Sequence, residues 1–192
     1  MGSALGKVTE EQPRYEVRGR STDGSSYEVR AYEPCCVIET SYAAKKMVGG
    51  DQGGSFMALA RYIGVMSKPE NARREKIAMT APVTRTLDEN DMWTVAFVMP
   101  SEWTMETLPV PNNPDVTIRE VPGEMMATLK FSGVGRERVF EQKRAALENW
   151  LAEQGYQAIG APRYAGYDAP YVPGPFRRNE VMIPVAERVP SS

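Results

Sequence analysis

Only two stretches of this chain carry the 3.6-residue period of an amphipathic helix, and each is followed by a pair of strand-like segments. The first helix is predicted from Phe56 to about Ser67, with Phe56, Leu59, Ala60, Ile63 and Met66 on one stripe. Ser55 fits its N-cap, and Lys68-Pro69 ends it. The second runs from about Arg136 to Gln154, with Val139, Phe140, Ala146, Leu147, Trp150 and Leu151 inward and Gly155 as the stop.

The remaining pattern has the period of strands. Tyr15 to Arg20 and Tyr27 to Tyr42 are rich in Tyr, Val and Ile, with a turn signal at Asp23-Gly24-Ser25 between them. Pro34 interrupts the second run and implies a bulge or an edge. Gly49 to Ser55 reads as a loop. Ile77 to Thr86, Trp93 to Val98, Val116 to Val121, Met125 to Phe131, Ile159 to Tyr167 and Asn179 to Val185 are further strands. Four prolines between Pro100 and Pro114 mark a surface excursion.

Strand–helix–strand–strand thus occurs twice. The fold class expected is α+β: two βαββ halves that form a distorted antiparallel β-barrel or curved sheet, flanked by two main helices. A flexible segment is expected over 1–13, a single domain over 14–186 with halves at about 26–121 and 122–186, and a flexible tail over 187–192.

There is no histidine in the 192 residues. That removes Ser-His-Asp and Cys-His catalysis, histidine zinc sites and a proximal-histidine haem. A ligand must be held by shape, apolar contact, cationic groups, or a Met, Tyr or Cys donor. The two cysteines, Cys35 and Cys36, are adjacent, so on a strand they point to opposite faces and form no disulfide framework. They read as inert, and a reducing compartment is expected: the cytoplasm, or an organelle such as the plastid stroma if a transit peptide has been removed. Net charge is −2, which gives no field for nucleic acid, and no apolar run is long enough for membrane insertion.

Five segments in order resemble the SOUL/haem-binding-protein family. They are Tyr27-Glu28-Val29-Arg30 with Tyr32-Glu33-Pro34, Lys76-Ile77-Ala78-Met79-Thr80-Ala81-Pro82-Val83, Phe97-Val98-Met99-Pro100, Val121-Pro122 with Ala127 to Gly133, and Tyr167-Asp168-Ala169-Pro170 with Arg177-Arg178-Asn179-Glu180-Val181. The resemblance spans about Tyr15 to Val185. It implies a monomer that binds haem b or a protoporphyrin-type tetrapyrrole in a shallow apolar cleft beside the first helix, as a carrier or buffer. In this chain no histidine axial ligand is available.

Carried onto this sequence, the resemblance places Phe56, Met57, Ala60 and Ile63 in the floor of that cleft, within Leu59-Ala60-Arg61-Tyr62-Ile63-Gly64. Leu59 and Ile63 read more as core than as floor. Arg61 is the candidate for a propionate, since a guanidinium forks onto a carboxylate. Lys45, Lys46 and Lys68 are the alternatives. Tyr171 and Val172 would form the opposite lip, where family members carry a lysine that this chain replaces with Val172. Arg177-Arg178-Asn179-Glu180 reads as a structural lock between the final strand and Met79-Thr80-Ala81-Pro82. Two other functions stay open: an enzyme that removes iron or opens the ring, and a small-ligand or partner-binding module on the same fold.

Overall fold

The computed structural model describes residues 9–43, 46–47, 53–65, 67–169 and 171–186. Lys45, Met66 and most of the glycine-rich loop before the first helix lie outside the described residues. The described elements run β1 (Tyr15–Arg20), β2 (Tyr27–Tyr32), β3 (Cys35–Ala43), α1 (Gly54–Ile63), β4 (Val83–Leu87), β5 (Met92–Val98), β6 (Thr117–Val121), β7 (Glu124–Ser132), α2 (Glu137–Gln154), β8 (Arg163–Gly166) and β9 (Arg178–Pro184). All strand pairs are antiparallel, in the order β1-β2-β7-β9-β8-β4-β5-β3-β6.

The expected repeat is present: β3-α1-β4-β5 and β7-α2-β8-β9 occupy equivalent places, and β4 pairs with β8 where the halves meet. The strands that precede each unit are exchanged. β2 pairs with β7, and β6 pairs with β3. Both pairings keep one unbroken register, with Tyr32 opposite Glu124 and Cys35 opposite Val121. β2–β3 and β6–β7 are therefore two long strands, bent at Glu33-Pro34 and at Pro122-Gly123, where proline offers no N–H to a ladder. At the bend Gly123 passes so close to Tyr32 that a Cβ would sit 3.0 Å from its carbonyl oxygen. Followed strand to strand, the pairing returns to its start, which curls the sheet into a distorted barrel.

Alternation sorts the side chains onto two faces. Trp93, Val95 and Phe97 of β5, Ile38 of β3 and Val181 and Ile183 of β9 point outward into one buried core with Leu59 and Ile63 of α1 and Phe140, Leu147 and Leu151 of α2. Both helices lie on this convex face. Thr94, Ala96 and Val98, together with Cys35, Val37 and Glu39, face the other way and line a concave hollow.

α1 is shorter than its hydrophobic period. It ends at Gly64, whose φ of 77° is left-handed and whose N–H closes onto the carbonyl of Arg61 at 3.0 Å. The N-cap is Gly53, and Ser55 lies inside the first turn. Two strand boundaries also differ from expectation. β4 begins only at Val83, because Thr80 bridges to Glu11 and Ala81 N–H donates to the Glu11 carbonyl at 2.9 Å. β8 is four residues long, since the chain before it bridges Ala158 to Val185 instead.

The Arg177–Glu180 segment is structural, but its neighbours are not those expected: β9 pairs with β7 and β8, and no strand forms over residues 79–82. Glu180 is fully buried and accepts from Arg30 Nη1 (2.9 Å) and Nη2 (3.2 Å), Arg178 Nη2 (2.7 Å) and Tyr167 Oη (2.7 Å). Burial opposes its charge, yet Arg30 and Arg178 hold the carboxyl below the ordinary range. Arg30 in turn reaches Glu28 and Tyr32, so β2, β7, β8 and β9 are tied at one buried point.

Two predictions follow from this arrangement. Glu180→Gln leaves buried guanidinium charge uncompensated and costs about 3 kcal/mol or more in urea unfolding at pH 7. Glu180 has a folded pKa below its unfolded value of about 4.3, so its contribution is complete above that value and disappears as pH falls through the folded pKa. The gap between wild type and variant must shrink on acidification; an unchanged gap would show that the carboxylate is not ionised in the native state. Gly64→Ala forces a Cβ to 2.5 Å from Pro69 Cγ in a left-handed conformation. It lowers the unfolding free energy by about 1–3 kcal/mol, measured by the same urea curves.

Candidate functional site

The surface beside α1 follows from which helical positions face the sheet. Leu59, Ala60, Tyr62 and Ile63 are buried against β3 and β5, and Phe56 packs edge-on to Phe97 with ring centroids 5.3 Å apart. Ala60 and Ile63 are 0% and 1% exposed, so they form the core beneath the helix rather than its outer surface. Gly64 is also buried and serves as the cap. The outward face presents Gly54, half-buried Met57 and exposed Arg61, while half-buried Ala58 and Val65 also pack against the core. Ala58 and Val65 were not singled out by sequence. Their signal was present: both fall three or four residues from Arg61.

Arg61 is exposed, and among the described residues no carboxylate pairs with its guanidinium. Lys46 and Lys68 are exposed as well. Half-buried Met57 beside exposed Arg61 suits an apolar ring that carries carboxylates.

Tyr171 and Val172 separate. Tyr171 is 70% exposed, whereas Val172 is buried. Val172 N–H donates to Ala169 O at 3.0 Å, and its carbonyl accepts Arg177 Nε at 2.7 Å. The short 3-10 turn Gly174–Phe176 that follows packs on β7, while α1 packs on β3 and β5. Val172 is thus an anchor for its loop, and Tyr171 is the member of the pair that reaches solvent.

Burial acts on several of the possible iron donors. Burial pushes the thiols of Cys35 and Cys36 up. Tyr62, pushed up to about 12 by burial, donates to Pro109 O at 2.7 Å. Tyr32 is likewise pushed up to about 12 by burial, and Tyr167 is raised well above its ordinary value. Among the described residues no group of three or more Cys, Asp or Glu could hold a metal ion. No described helix is long and apolar enough to cross a membrane.

No curated protein sequence matches the chain. Several solved structures share its fold. The C-terminal domain of EcmrR superposes with a TM-score of 0.62 at 14% identity, over 86% of this chain and 99% of that one. An uncharacterized conserved protein from Listeria innocua gives 0.61 at 14% identity, over 84% and 93%. A hydrolase from the same organism gives 0.60 at 11% identity, over 84% and 92%. At these identities the likeness concerns the fold alone. Sequence carries the family: the model described as SOUL heme-binding protein matches residues 10–184. With the motifs, the duplicated fold and that match agreeing across nearly its whole length, the chain belongs to the SOUL heme-binding protein family.

Proposed function

We propose that the protein is a haem or tetrapyrrole carrier that lays the macrocycle on the outer face of α1 and grips it without a histidine ligand. The observation that carries this reading is the pairing, in a member of a haem-binding family, of half-buried Met57 with exposed Arg61, whose guanidinium has no carboxylate partner among the described residues. Met57 and Ala58 would meet the ring, and small Ala58 lets it approach the helix closely. Arg61 would fork onto a propionate, with Lys46 or Lys68 near the second. Leu59, Ala60 and Ile63 act from beneath, by fixing the helix on β3 and β5. Tyr171, exposed on its anchored loop, would serve as a lip against the ring.

The energetics suit reversible loading. Burying about 300 Å² of apolar surface at about 25 cal/mol per Å² supplies roughly 7–8 kcal/mol. Association costs at least about 4 kcal/mol of this. One or two exposed ion pairs of about 1 kcal/mol each bring the total to roughly −4 to −6 kcal/mol, which is weak, reversible binding. Burial makes the thiols of Cys35 and Cys36 give up their protons less readily to a metal, which favours a grip on the macrocycle over a grip on the metal.

Titration with ferric haem and with metal-free protoporphyrin, followed by absorbance and tryptophan quenching, should give affinities that agree within about threefold. A large preference for haem with a thiolate or tyrosinate spectrum would shift the grip to a metal ligand, and binding of neither would remove the carrier reading. Arg61→Glu should weaken both ligands about tenfold, equivalent to about 1.4 kcal/mol. Ile63→Ala provides the contrast: it should destabilise the fold by about 2–5 kcal/mol yet leave affinity per folded molecule unchanged.

A further inference from the structure

We propose that the concave hollow opposite the helices takes a small uncharged molecule with an apolar body and a hydroxyl or carbonyl oxygen. The hollow measures about 270 Å³. That is just below the roughly 300–1,000 Å³ of typical small-molecule sites, so its ligand is a modest one.

Register decides which side chains meet there, because residues opposite each other in a ladder share a face. Val37 of β3 lies opposite Val98 of β5 and Arg119 of β6, and Glu39 lies opposite Ala96. β4 carries the same face onward, with Thr84 opposite Ala96 and Thr86 opposite both Thr94 and Arg163. Arg163 in turn stands opposite Met182 of β9. The wall is therefore drawn from both halves of the molecule.

The floor is apolar: Val37, Val121, Met126 and Met182 are all buried. Methionine fits ligands of varied outline. An N-terminal strap of extended chain covers one side through Pro13. The Glu11 carbonyl accepts Ala81 N–H at 2.9 Å, the Arg14 carbonyl accepts Glu33 N–H at 3.0 Å, and Gln12 Oε1 accepts Arg178 Nη1 at 3.0 Å.

Charge decides the class of ligand. Glu33, Glu39, Arg119, Glu124 and Arg163 line the hollow, and four of them are spent on one another. Arg119 Nε and Nη2 lie on Glu39 at 2.9 Å each, and Arg163 clasps both oxygens of Glu124. Glu33, exposed at the bend after β2, is the one left without an ion-pair partner among the described residues. A charged ligand would shed hydration here and meet no free counter-charge within the wall. Porphyrin propionates fall under the same exclusion, so this site stands independently of the reading given for α1.

The polar groups left for a ligand are neutral. Thr84 and Thr86 are half-buried, and neither hydroxyl has a hydrogen-bond partner among the described residues. Each can donate to or accept from a neutral oxygen. Apolar floor, paired charges and waiting hydroxyls together fit an alcohol or ketone with a hydrocarbon body.

The test uses the full chain with ¹³C-methyl methionine and 4-phenyl-1-butanol. Butylbenzene, 4-phenylbutyrate and 4-phenylbutylammonium serve as matched uncharged, anionic and cationic probes. The alcohol should shift the methyls of Met126 and Met182 in the floor and leave Met57 on α1 unmoved. Both charged probes should bind at least about tenfold more weakly than the alcohol. Thr84→Val with Thr86→Val keeps the shape of the wall and removes both hydroxyls. It should weaken the alcohol about fivefold, the worth of one hydrogen bond, and leave butylbenzene unchanged, which also shows that the hollow is intact. No shift at millimolar alcohol, shifts at Met57 in place of Met126 and Met182, a charged probe that binds as well as the alcohol, or a double variant that changes both uncharged probes alike or neither would each overturn the proposal.

Discussion

The exchange of strands at Pro34 and Pro122-Gly123 is the constraint on which the rest of the structure depends. β2 and β3 lie two residues apart in sequence but ladder onto opposite halves, and β6 and β7 do the same. Neither βαββ unit keeps the strand that precedes it. The halves cannot separate without breaking both ladders, so the small repeat gains a core that neither copy could enclose alone. One buried cluster then runs beneath both helices. The Arg30–Glu180–Arg178 network reinforces this point, since Arg30 comes from an exchanged strand and Glu180 from the last strand of the second unit. A buried ion pair is weak support for stability in itself. Its stricter effect is on register: a one-residue slip of β2 against β7 would turn Arg30 onto the apolar convex face, unpaired.

Much of this was legible in the sequence because strand and helix periods differ so plainly here. Tyr27, Val29 and Ala31 against Glu28, Arg30 and Tyr32 announced a two-sided strand, and the α2 stripe from Val139 to Leu151 announced a helix. The errors have local physical causes. The apolar period of α1 continues past Ile63, but Gly64 takes a left-handed conformation and stops the helix before Pro69 can. The strand pattern from Ile77 begins six residues early, because the residues before Val83 serve the N-terminal strap rather than a ladder. Arg177 to Glu180 was rightly a lock, but its partner Arg30 lies 150 residues away, a distance no spacing rule reaches.

The candidate site was legible to the level of a helix and not to the level of a face. Arg61 and Met57 reach the surface; Ala60 and Ile63 do not. The four stripe residues Phe56, Leu59, Ala60 and Ile63 on a ten-residue helix must be shared between core and ligand. The sheet takes first claim, because burying a side chain permanently returns more free energy than waiting for a ligand. The concave hollow was not legible at all. Its carboxylates come from strands that alternate normally, and nothing in β3 alone says that Glu39 will meet Arg119 across the sheet.

The absence of histidine joins these points. A haem protein with an imidazole can gain affinity from one bond to iron and tolerate an indifferent pocket. This chain cannot, and burial raises the thiols of Cys35 and Cys36 and the phenol of Tyr62, so each gives up its proton less readily. Affinity must then come from area and charge, both of which are properties of a whole face. The convex side offers α1 with exposed Arg61; the concave side offers apolar walls crossed by the Arg119–Glu39 and Arg163–Glu124 ion pairs. Since the sheet lies between them and its alternation fixes every side chain to one side, the two surfaces can change independently. Substitution at Val37 or Met182 acts in the hollow, and substitution at Met57 or Arg61 acts on α1. A duplicated sheet with helices on one side only therefore supplies two separately tunable surfaces from one core.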